Sequence, residues 1–226
     1  MNKPNTLVWD IPTRLFHWLL VAGFAAQWLT AKILDNAIDW HFTIGYCLLA
    51  LVLFRLCWGF VGTRYARFTA FIYSPGATWQ YAKTVTDRHS TPHASHNPMG
   101  GWMVIVMLIL IALQAVSGLF VSDDIFSDGP YRALADENVK EWMEFVHFNL
   151  FDVLLIIVAL HIAAVLFYQF YKKNNLIGAM ITGKKKVSSP AIKSSRLLLA
   201  VGVAALIGLF VYLLVAVWPP QPEPMW

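Results

Sequence analysis

Four of the seven histidines in this 226-residue chain, His17, His41, His147 and His161, lie within or at the ends of long apolar stretches. An imidazole in such surroundings is costly to bury, so each of the four is a candidate metal ligand or proton carrier. Fourteen residues separate His147 from His161. On one helix that interval is about 21 Å of rise and only about 40° short of four turns. Both rings therefore project from nearly the same face at two different depths. Arg55 follows His41 at the same interval, and Arg14 precedes His17 by about one turn.

The elements that must position these side chains are membrane-spanning helices. Apolar residues make up 58% of the chain and charged residues 13%, a balance foreign to a soluble domain. Five segments approach the roughly 20 apolar residues a bilayer requires: Leu15–Leu34, His41–Gly62, Met103–Val121, Trp142–Tyr171 and Leu197–Trp218. The fourth is long enough to project beyond the membrane. Trp18, Trp40, Trp58, Trp102, Trp142 and Trp218 fall near segment ends, where an interfacial belt would place them. The Thr63–Gly101 segment reads mostly as loop, with a short interfacial helix around Ala77–Thr86. No internal repeat is evident. The N-terminal apolar run carries Asp10 and Pro12 and lacks a small-residue cleavage site, so it is read as a first span rather than a cleaved signal. Cys47 and Cys57 lie about 15 Å apart on one helix, too far for a disulfide, and are expected to be buried apolar residues.

Charge sets the orientation. With the N-terminus in the cytoplasm, fourteen Lys and Arg residues fall inside, and Lys32, Arg132 and Lys140 alone fall outside. The net charge of +4 is thereby explained by topology, and nucleic acid is excluded as an expected partner. The C-terminal tail then ends outside. The outer loop carries Asp123, Asp124, Asp128, Asp136, Glu137, Glu141 and Glu144. Such a surface either docks a basic partner or is simply solvated.

Depth now pairs the histidines. The second and fourth spans run outside to inside, so His41 and His147 share an outer level. His17, near the inner start of the first span, shares an inner level with His161. Two imidazoles per site, with no thiolate or carboxylate companion, suit haem iron better than structural zinc. Two nitrogen ligands on opposite axial faces describe an electron carrier better than an oxygen-activating centre. Arg55 either pairs with a haem propionate or snorkels to the inner headgroups. Arg14 is a similar inner candidate. Gly45, one turn after His41, removes a side chain where a flat macrocycle could pack.

The segments Arg14-Leu15-Phe16-His17-Trp18, His41 with Gly45 and Arg55, Trp142 through His147, and Leu160-His161-Ile162-Ala163-Ala164 together resemble the bacterial cytochrome b561 family. That family includes the cytochrome b subunits of nickel-iron hydrogenases. The resemblance covers about residues 8–185. It implies an all-α four-helix membrane core holding two haems b, which passes electrons between the quinone pool and a redox partner in a bacterial inner membrane. Residues 1–185 would form that core. Residues 186–226 would comprise a basic linker, flexible over Lys184–Ser195, an additional fifth helix and a short outer tail. The histidine- and tryptophan-rich fourth helix associated with hydrogenase cytochromes is not evident, which points away from a hydrogenase partner.

Two other functions compete with this one. Some family members oxidise superoxide and reduce quinone, which would need an accessible outer haem edge. A histidine-lined metal or proton transporter is the alternative from another class. His89, His93 and His96 in the inner loop are read as solvated rather than as a metal site. The segment His96-Asn97-Pro98-Met99-Gly100-Gly101 is a candidate wall for a quinone head group.

Overall fold

The structure is a computed structural model, described for residues 4–88, 92–123 and 127–220. A short strand β1 (Asn5–Leu7) leads into α1 (Ile11–Lys32) and α2 (Ile38–Val61). The inner loop carries α3 (Pro75–Lys83), close to the short helix expected there. Next come α4 (Pro98–Ser117) and α5 (Glu137–Leu166), the latter continued by a π-turn over Phe167–Tyr171. Then follow α6 (Leu176–Thr182), β2 (Lys184–Lys186) and α7 (Leu197–Tyr212), with a second π-turn over Leu213–Val217.

Each helix that carries a candidate ligand starts at a side-chain cap or a tight turn. Asp10 accepts from the Thr13 amide at 2.7 Å, with Pro12 inside the first turn of α1. Asn97 accepts from the Gly100 amide at 2.8 Å, and Asp136 from the Val139 amide at 2.9 Å. Each cap satisfies an amide that has no partner within the helix, and removing one typically costs about 1 kcal/mol. α2 starts without such a cap, directly after the turn that reverses the chain.

The helices form a bundle centred on α2, which packs against α1, α4 and α7, while α5 packs along α4. Its core includes Val52, Trp58, Phe71, Leu108 and Leu154. Among the described residues, four helices are long and apolar enough to cross a membrane: α2, α4, α5 with its π-turn, and α7 with its π-turn. The fifth expected span, α1, matches these in length but not in apolarity. Its 22 residues, about 33 Å of helix, can reach across, but Arg14, His17 and Gln27 dilute its apolar character. α5 and its π-turn run for 35 residues, or about 52 Å, so the fourth span does project beyond the bilayer.

Four further expectations change. Trp58 is not interfacial: it is fully buried, and its indole donates to Asp10 at 3.2 Å. Thr63 donates to the same carboxylate oxygen, so Asp10 is both cap and buried acceptor at the inner end. Cys47 and Cys57 are exposed on the outward side of α2. α4 ends at Ser117, four residues before the expected end of that span, where Gly118 begins a turn.

The fourth change concerns the stretch expected to be a flexible linker. Lys184–Lys186 pairs antiparallel with Asn5–Leu7, in the register Thr6 opposite Lys185. Gly183 at φ +80° ends α6, and its carbonyl accepts from the Val8 and Trp9 amides at 2.9 and 3.0 Å. A Cβ there would lie 2.7 Å from the Trp9 carbonyl oxygen, so glycine is required for both its conformation and the close approach. Val187 and Ile192 are buried with Val8, Trp9 and Tyr65. This clamp ties the start of α1 to the end of the α5–α6 unit.

Candidate functional site

The structure brings His41 and His147 together. Their rings stand 6.3 Å apart between centroids and are steeply inclined at 81°. Two metal–nitrogen bonds of roughly 2 Å, plus about 1 Å from each nitrogen to its ring centre, separate two axial imidazoles by roughly 6 Å. The observed pair matches that spacing. The two rings come from different helices, and each is anchored. The Gln27 side-chain amide donates to the His41 carbonyl at 3.0 Å, and the Thr30 hydroxyl lies 3.3 Å from His41 Nδ1. The Gln114 amide donates to the His147 carbonyl at 2.9 Å, and the Ser117 hydroxyl lies 3.2 Å from His147 Nδ1.

The other two histidines are His17 on α1 and His161 on α5. His17 Nδ1 is buried without a hydrogen-bond partner. Arg55 faces inward and is 2% exposed. That removes the headgroup-snorkelling reading for this residue. Its Nη2 donates to the Ala66 carbonyl at 3.0 Å, and its guanidinium stands over Phe68 and Phe71 at 5.2 and 5.8 Å. Its Nη1 is buried and has no hydrogen-bond partner among the described residues. An orphaned buried donor on a cation invites an anion. Arg14 is differently placed: its Nη1 donates to the Ile181 carbonyl at 2.5 Å, joining α1 to α6.

The inner loop closes over this end. His96 packs between Trp9 and Phe71, with ring centroids at 4.9 and 4.7 Å. Burial, then the charges of Arg55 and Lys185, hold its imidazole well below its ordinary value, so it is neutral. His93 instead faces Tyr73 and Tyr81. The expectation of solvated loop histidines is thus corrected for His96, while His93 is half-buried and His89 lies outside the described residues. Lys185 donates to the His93 and Ser95 carbonyls at 2.6 and 3.2 Å and pins the loop to β2.

Gly45 sits against Gln27: a Cβ there would lie 3.0 Å from the side-chain amide nitrogen. Gly118, just past the end of α4, lies against the outer pair instead: a Cβ there would lie 2.9 Å from His147 Cε1. Histidine spacing alone does not single out Gln27, Thr30, Gln114, Ser117 or Gly118. A signal for the four polar residues is nonetheless present, because neutral polar side chains inside apolar helices are expected to bond across to a neighbouring helix.

The donor set fits haem iron. It comprises four imidazoles, two of them paired at 6.3 Å, and a buried cation with an unbonded donor. α5 carries two of the four histidines, yet only 6% of its membrane window is buried by the protein. Such a helix is suited to packing a large apolar group as well as lipid. Helices of spanning length carrying histidines at two levels define the class of membrane-embedded b-type cytochromes. The family model for prokaryotic cytochrome b561 matches residues 8–183, and the chain belongs to that family. It is accordingly a multi-pass bacterial membrane protein working in electron transfer with haem b. A relative in Bradyrhizobium diazoefficiens is named as a probable Ni/Fe-hydrogenase B-type cytochrome subunit. It is 22% identical over 223 residues, covering 82% of this chain and 88% of its own length. No solved structure matches significantly.

Proposed function

We propose that this protein carries electrons across the bacterial inner membrane through two haems b in series, between membrane quinone and a redox partner on the outer side. His41 and His147 hold the outer haem, and His17 and His161 the inner one. The observation that carries this reading is the 6.3 Å His41–His147 pair, set fourteen residues along α5 from a second histidine, His161. Arg55, with its unpartnered Nη1, is the residue to hold an inner propionate, and Arg14 stands near the same end. The haems supply reversible one-electron storage. The chain's part is to fix the ligands, neutralise charge and exclude water.

The orientation follows the distribution of Lys and Arg, with the N-terminus cytoplasmic and the C-terminus periplasmic. His96, held neutral beside Arg55 and close to the inner pair, supports the inner loop as one wall of a quinone site. The outer partner is a redox protein, either an oxidoreductase subunit or a c-type cytochrome. The relative's name supports the first, against the direction in which the missing fourth-helix pattern points. The acidic outer loop is only partly available for docking. Arg132 pairs with Glu144 and Asp128, and Lys140 pairs with Glu137.

Optical spectroscopy tests the reading. Purified oxidised protein mixed with a short-chain quinol gains reduced b-type α and β bands. A protein whose haem is reduced by dithionite but never by quinol is not coupled to quinone.

A further inference from the structure

The two halves of the outer pair are built to one plan. Gln27 and Thr30 stand three residues apart on α1, and Gln114 and Ser117 three apart on α4. In each case the amide grips the main-chain carbonyl of a histidine on the following helix, at 3.0 and 2.9 Å. In each case the hydroxyl meets that histidine's Nδ1, at 3.3 and 3.2 Å. The correspondence extends along both hairpins. The capping residues Asp10 and Asn97 each lie seventeen residues before their glutamine. Beyond the histidines, Leu48 and Leu154 each lie seven residues on and are buried, while Arg55 and His161 each lie fourteen on. Two parallel repeats related by an axis along the membrane normal have this pattern, although sequence identity between them is slight.

The hydrogen bonds fix a tautomer. The Ser117 hydroxyl donates its one proton to the Gln114 carbonyl at 3.0 Å. The Thr30 hydroxyl donates to the Ala26 or Gln27 carbonyl, at 2.9 or 3.1 Å. Each hydroxyl therefore faces its histidine as an acceptor. For His147 the case is stronger, because Nδ1 also lies 3.0 Å from the Gln114 carbonyl, which can only accept. In this arrangement Nδ1 of His147 carries the proton, the Thr30 contact favours the same tautomer for His41, and each Nε2 keeps its lone pair. A histidine that donates its outer nitrogen in this way is oriented as a metal ligand and made more basic.

We propose that Gln27 with Thr30, and Gln114 with Ser117, are positioning residues. They form a duplicated brace that fixes the tautomer and orientation of His41 and His147 as axial ligands of the outer haem. The inference rests on the haem reading above. Its consequence is directional. Removing an acceptor from Nδ1–H makes the imidazole a weaker donor, which favours ferrous iron and raises the potential of that haem alone.

The test uses the full-length protein in detergent, with Thr30→Val and Ser117→Ala, singly and together, and Thr30→Ser and Ser117→Thr as rescuing controls. Haem content, a redox titration and the low-temperature electron paramagnetic resonance spectrum are recorded for each. Thr30→Val should shift one titrating component upward and change its low-spin ferric signal, and Ser117→Ala should shift the same component less, because His147 Nδ1 keeps the Gln114 carbonyl as an acceptor. The double variant should shift that component further, while the other component stays in place. The conservative variants should behave as the parent. If haem is bound and both potentials and both signals match the parent throughout, the brace has no role and the inference falls alone. It falls equally if the component that moves is the one disturbed by His17→Ala. A parent protein that purifies with its fold intact but binds no haem overturns the haem reading, and this inference with it.

Discussion

Gln114 and His147 hold one another in both directions. The glutamine amide donates to the histidine carbonyl at 2.9 Å, and the histidine Nδ1 donates back to the glutamine carbonyl at 3.0 Å. A single pair of residues thus locks the relation of α4 to α5 and the orientation of a candidate ligand. The opposite ring, His41, stands 6.3 Å away on the other hairpin.

The first prediction concerns that pairing. Alanine substitution of His41 or His147 should abolish or shift one haem, and substitution of His17 or His161 the other. Redox titration of the four variants should give two phenotypes, each shared by two proteins. Grouping His17 with His147 would mean that the assignment of depth is wrong.

The second prediction concerns Arg55. Its Nη1 is buried and without a partner, beneath the rings of Phe68 and Phe71. Removing a cation that neutralises a propionate stabilises ferric iron, so Arg55→Leu should lower the potential of the inner haem and leave the outer one nearly unchanged. Arg55→Lys should produce a smaller shift, since it keeps the charge and loses the planar fork. Equal potentials in all three proteins would reduce Arg55 to a packing residue at the Ala66 turn.

The approach of His41 to His147 is legible in the sequence because helix geometry converts spacing into face and depth. Fourteen residues place His147 and His161 on one side of α5 whatever surrounds them. The inner clamp is not legible there. Strands of three residues carry no periodicity, and the pairing of Asn5–Leu7 with Lys184–Lys186 closes almost the whole chain. Trp58 illustrates a second limit. A tryptophan at the end of an apolar run is ordinarily interfacial, but here Asp10, 48 residues earlier, accepts its indole proton and draws it inside. The repeat is obscured for a third reason. Its matching positions are polar contacts, Gln27 with Gln114 and Thr30 with Ser117, scattered among unrelated apolar residues.

The third prediction follows from Lys185. Burial lowers its pKa from 10.5 to about 8 while its ammonium bonds two loop carbonyls. Between these values the unfolded chain binds the proton that the folded chain has released, so stability rises with pH across that window. The burial cost of the charge is fully present below pH 8 and relieved by about pH 10.5. Thermal unfolding of the parent should therefore gain more between about pH 8 and pH 10.5 than that of Lys185→Met. Parallel profiles for the two proteins would contradict the assignment.

Haem stoichiometry tests the central claim most directly. The pyridine haemochrome of the purified protein, set against protein quantified by amino-acid analysis, should give two non-covalently bound haems b per chain. A value near one would remove one of the two histidine pairs from the account, and a value near zero would contradict it altogether.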